Sequence, residues 1–145
     1  MSRRLNILEA VRSALQAWPA LGQIPVTIGR VYPEAFARLP MINVVGGQDD
    51  RESDQPARSA EESRNFEVVV QVAVTAAPEL LEETLELLCL EVERALALDD
   101  ELGGRCEWFR WATSPAPTRE ELDAAVAMRE LAYLARYTVQ RADPI

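Results

Sequence analysis

The chain contains no histidine and no lysine, and its fifteen basic residues are all arginine. Without histidine it lacks the commonest general base and the commonest metal ligand. Without lysine, Schiff-base and P-loop phosphate chemistry are excluded. Cysteine is scarce, with only Cys89 and Cys106 present. Two cysteines and no histidine cannot assemble a usual structural zinc site. Two readings of the pair stay open: buried reduced thiols, or a disulfide or reactive thiol, with Arg105 the one basic neighbour of Cys106. No apolar run approaches the roughly 18 residues of a membrane helix. The first residues lead into an amphipathic helix and do not read as a signal peptide. The expectation is a cytosolic chain with no membrane partner.

What is present describes one domain, residues 1–145, with 48% apolar residues. A chain of this size can bury roughly 70% of its unfolded surface, enough for a core without staples. The net charge of −9 is unevenly placed. Residues 79–101 hold nine acids against Arg94 alone, a local net of −8; the rest holds fifteen acids against fourteen arginines, a net of −1. With no basic stripe the chain is a poor candidate for gripping nucleic acid, because phosphate neutralisation dominates that affinity.

Periodicity outlines the elements. Ser2 reads as an N-cap, and Ile7, Leu8, Val11, Leu15 and Trp18 recur at helical spacing until Pro19 ends the helix. Ile24–Tyr32 reads as an irregular or edge strand, because Pro25 and Gly29 interrupt it. Residues 33–40 read as a connection with one helical turn around Glu34–Arg38. Met41–Val45 reads as a short strand buried on both faces. Asn65–Ala76 alternates as a long strand, with Phe66, Val68, Val70, Val72 and Val74 on one face. Pro78 opens a second helix, whose core stripe is Leu81, Leu85, Leu88, Val92 and Leu96; Gly103 and Gly104 are expected to stop it. Arg105–Thr113 reads as an aromatic-rich strand and Ser114–Thr118 as a turn, while Thr118–Ala124 is ambiguous. Val126–Gln140 has both helix formers and strand-like alternation, with strand slightly ahead. The sum is an α+β fold: two amphipathic helices on one face of a mixed, mainly antiparallel sheet.

Between the two hairpin strands, residues 46–64 carry six carboxylates and three arginines, with nothing more apolar than alanine. Such a segment cannot offset its own ordering entropy, so it reads as a long polar hairpin loop, flexible in the free chain. With no nucleophile, base or metal set elsewhere, a lid has nothing to cover. The loop therefore points to binding or assembly, and its deletion between Asp50 and Glu61 is expected to leave the fold intact. Its charged residues Asp49, Asp50, Arg51, Glu52, Asp54, Arg58, Glu61 and Glu62 are the candidate assembly interface. Trp111 joins them, since Trp108, Phe109 and Trp111 put large aromatics on both faces of one strand.

No catalytic motif stands out. The Gly-Gly pairs lack phosphate-loop spacing, the serines have no histidine partner, and Gln48–Asp54 lacks the closing Glu of a calcium loop. Adjacent carboxylates in polar stretches do not supply the unlike environments that acid–base work needs. No cofactor and no metal are expected. The acidic face of the second helix reads as a solvated exterior, as a surface that meets an arginine-bearing neighbour, or as one that repels DNA in a channel.

The order of elements resembles that of the tail terminator proteins of long-tailed bacteriophages, the minor tail proteins related to the lambda tail terminator. The likeness rests on the helix LNILEAVRSALQAW, the segment GRVYP, the strand LPMINVV and the acidic loop. It continues with the valine strand RNFEVVVQVAV, the helix LLEETLELLCLEVERALALDDELGG and the closing strand YLARYTV. It covers almost the whole chain. It implies a virion structural protein, not an enzyme, that forms a ring, expected to be a hexamer. Such a ring caps the tail tube and meets the head-completion or connector protein, with assembly in the host cytoplasm. It also implies that the last segment is a strand. The alternatives are another neck, tail-completion or head–tail joining protein, or a small carboxylate enzyme.

Overall fold

A computed structural model describes residues 2–29, 39–52, 60–121 and 125–141, with the backbone alone at 120–121. The expected turn around Glu34–Arg38 lies outside these residues. Helix α1 spans Arg3–Ala17, and Ser2 caps it by accepting a hydrogen bond from the Leu5 amide (3.1 Å). It ends before Pro19, with Trp18 extended at ψ 120°. Strand β1 is Val26–Ile28, shorter than the expected Ile24–Tyr32, and Gly29 leaves it at φ 69°. Residues 30–32 of that expected strand are not among those described.

Strands β2 (Met41–Arg51) and β3 (Glu61–Thr75) pair antiparallel, and β1 runs parallel to β2. A 3₁₀ turn at Pro78–Leu80 leads into helix α2, Leu81–Ala97. Strands β4 (Trp108–Thr113), β5 (Thr118–Glu121) and β6 (Ala125–Gln140) complete the sheet. The sheet order is β1-β2-β3-β6-β4, with β5 beside β4 along the same edge of β6. The fold is thus α+β, two helices and a mixed, mainly antiparallel six-stranded sheet. Val126–Gln140 is a strand throughout, against its helix formers, because fifteen consecutive register positions on β3 complete its hydrogen bonding.

Both helices lie on one face. Ile7, Val11 and Leu15 of α1 meet Leu81, Leu85, Cys89, Val92 and Leu96 of α2 in one core with Val44, Val68, Val70, Leu131 and Tyr133. Trp18 donates its indole N–H to Glu91 Oε2 (2.7 Å), tying the end of α1 to α2. The opposite sheet face carries a polar ladder across four strands. Thr27 donates to Asn43 Oδ1 (2.9 Å), Asn43 to Gln71 Oε1 (3.0 Å) and Gln71 to Glu130 Oε2 (3.2 Å). The ladder satisfies the amide of Asn43, a buried polar side chain.

Two expectations are corrected here. Helix α2 stops at Ala97, six residues before Gly103. Asp99 accepts backbone N–H bonds from Glu101 (3.0 Å) and Gly103 (2.7 Å), a local arrangement that competes with helix continuation. The same bonds hold the Asp99 carboxyl below its usual pKa. The two glycines and Leu102 then turn the chain at positive φ. Cys106 lies in this turn, not on β4, although it is still buried.

Burial pushes both thiols up to about 12. Unfolded thiols ionise near about 8.5, so above that pH the unfolded chain releases protons that the folded chain retains. Stability is therefore complete below that pH and declines as pH rises toward 12. Neither thiol should react with an aromatic disulfide reagent at pH 8 until denaturant unfolds the chain. Stoichiometric labelling of the folded protein would show one of them to be open.

Candidate assembly surface

Within the segment expected to be a free loop, residues 46–51 and 61–64 are strand, and residues 53–59 lie outside those described. β2 continues through Gly46–Arg51, and β3 starts at Glu61. Asp50 pairs with Asn65 and Arg51 with Arg64 in register, while Glu61–Arg64 also pair with Tyr137–Gln140 of β6. The result is a three-stranded ribbon. Composition alone misjudges it, because it counts neither the backbone ladder offered by a distant third strand nor the arginines that β6 and α1 bring.

A bulge in β2 decides what the ribbon presents. Gly46 sits opposite Val68 but Asp49 sits opposite Phe66, so β2 advances three residues while β3 advances two. The extra residue turns Asp49 to the helix face, where regular alternation would have turned it away. Glycine is needed at the first of these positions. A Cβ on Gly46 would lie 2.8 Å from the ring of Phe66, which is buried; on Gly47 it would displace the movable carboxylate of Glu67 and lie 3.2 Å from that residue's Cβ. Gly46→Ala should therefore cost about 1–3 kcal/mol through overpacking, and Gly47→Ala clearly less. Urea titrations of the two variants check this, and equal midpoints would show that Phe66 is free to move.

On the helix face, Tyr137 donates its hydroxyl to Asp49 Oδ2, and Arg4 of α1 lies 3.8 Å from the same oxygen. Burial, followed by the bond to Asp49, raises the Tyr137 pKa; the contact with Tyr137 raises that of Arg64. Glu62 accepts from Arg64 (2.9 and 3.1 Å) and pairs with Arg51 (3.1 Å). On the other face, Glu52 accepts from Asn65 (2.9 Å) and faces Arg136 (3.8 Å), which also pairs with Glu107 (3.2 Å). Asp50 accepts from Gln48 (2.9 Å) and Glu61 from Gln140 (3.3 Å). Asp54 and Arg58 lie outside the described residues.

The candidate residues thus divide. Asp49, Glu52 and Glu62 act mainly within the ribbon, whereas Asp50, Arg51 and Glu61 are exposed on it. Deleting Asp50–Glu61 would remove paired residues and the Glu52 contacts, so it is not the neutral change the sequence suggests. Trp111 lies apart, on β4 in register with Tyr133, and is 52% exposed. Its neighbour Phe109 is core and stacks on Tyr133 at 4.8 Å, while Arg110 lies over the Trp108 ring at 4.4 Å.

No protein-family model matches the chain, and no curated protein matches it. The residues themselves must therefore carry the functional reading. An open groove between α1 and the turn after α2 is lined by Ala10, Ala14, Trp18 and Leu102 with Glu9, Asp99 and Arg105. Its polar groups are engaged locally: Glu9 with Arg12, Asp99 with backbone amides, Arg105 with the Leu102 carbonyl. Sequence reasoning missed the outward leucines of α2. Leu80, Leu87, Leu90 and Leu98 are 40–73% exposed. Their signal was available: they fall off the stripe formed by Leu81, Leu85, Leu88, Val92 and Leu96.

Proposed function

We propose that the chain is a structural subunit of a long-tailed phage, a tail terminator that assembles into a ring. The ring caps the tail tube and meets the head-completion or connector protein. The observation that carries this reading is apolar surface left exposed among the described residues. Exposed leucines on α2 and exposed Trp111 at the last strand of the sheet are what a subunit interface supplies. The two-layer fold supports it, since it agrees with the order of elements on which the family resemblance rests. The charged ribbon projects paired carboxylates and arginines, a polar surface suited to meeting the tube or connector. Site chemistry agrees as well, because the carboxylates Asp49, Glu52 and Glu62 of the ribbon are engaged by tyrosine, amide or arginine groups.

The test is co-sedimentation of the purified protein with tail tubes, followed by immuno-electron microscopy. Binding confined to the head-proximal tube end is expected. Labelling elsewhere in the neck would favour a head–tail joining protein, and a chain that never binds tubes would defeat the proposal.

A further inference from the structure

We draw no further inference here: the strongest candidate, the surface patch of outward leucines along α2 (Leu80, Leu87, Leu90 and Leu98), is an exposed apolar helix face, and nothing in the structure shows what covers it.

Discussion

Replacing Tyr137 with alanine should destabilise the protein by about 3–5 kcal/mol, the usual range for deleting a large buried side chain. Tyr137 is 1% exposed and lies where the polar ribbon joins the core. It stands opposite Arg64 in the β3–β6 register, and its hydroxyl holds Asp49. The ring supplies apolar contact in a region otherwise rich in charge, and the hydroxyl supplies a donor to a carboxylate with only 9% of its side chain exposed. The two parts separate by substitution. Tyr137→Phe keeps the ring and should cost about 1–3 kcal/mol, because it removes a donor from a buried charged acceptor. In Tyr137→Phe/Asp49→Ala the second change should add little, since the two groups act on each other. Urea titrations with unchanged slope measure all three. A Tyr137→Phe variant equal to the wild type would mean that the ribbon stands without this bond.

Replacing Phe109 with alanine should cost a similar amount, about 3–5 kcal/mol, and should also abolish assembly. Phe109 is 4% exposed and stacks on Tyr133 with the ring planes 5° apart. It is the one fully buried residue of β4, whose remaining residues are half-buried or exposed. Removing its ring takes away the main apolar anchor of that strand, and β4 carries Trp111 and Arg110. Trp111→Ala should behave oppositely: it should keep the wild-type unfolding midpoint within about 0.5 kcal/mol, as exposed positions do, yet lose association. Thermal or urea unfolding read beside the assembled mass tests the pair. Loss of mass in Phe109→Ala without loss of stability would show that Phe109 touches the neighbour and is not the anchor of β4. With folding free energies of about 5–15 kcal/mol in total, either core substitution consumes a large share of the margin.

Much of the fold was legible because its signals are periodic. The caps and breakers of α1, the alternation of Val68, Val70 and Val72, and the leucine stripe of α2 each follow from local chemistry. The order of helices and strands then leaves few arrangements other than two layers. What could not be read depends on contacts distant in sequence. Glu61–Arg64 became strand because residues 137–140 lie beside them, a relation that no local window contains. The end of α2 depended on one carboxylate choosing backbone amides. Asp49 was expected on an assembly interface, but it is turned inward to Tyr137, a partner 88 residues away. The bulge that brings them together shows in sequence only as Gly46-Gly47. Trp111 was legible as a candidate exposed aromatic, and the outward leucines were legible too, since they fall off the core stripe, but they were passed over in a helix so rich in leucine.

Whether this chain forms a closed assembly is tested most directly by electron microscopy of the purified protein alone. The expected result is class averages of closed rings with a central opening and one rotational symmetry, six-fold on the family resemblance. A field of single 16.2 kDa particles, or of two-fold dimers at every concentration, would contradict it.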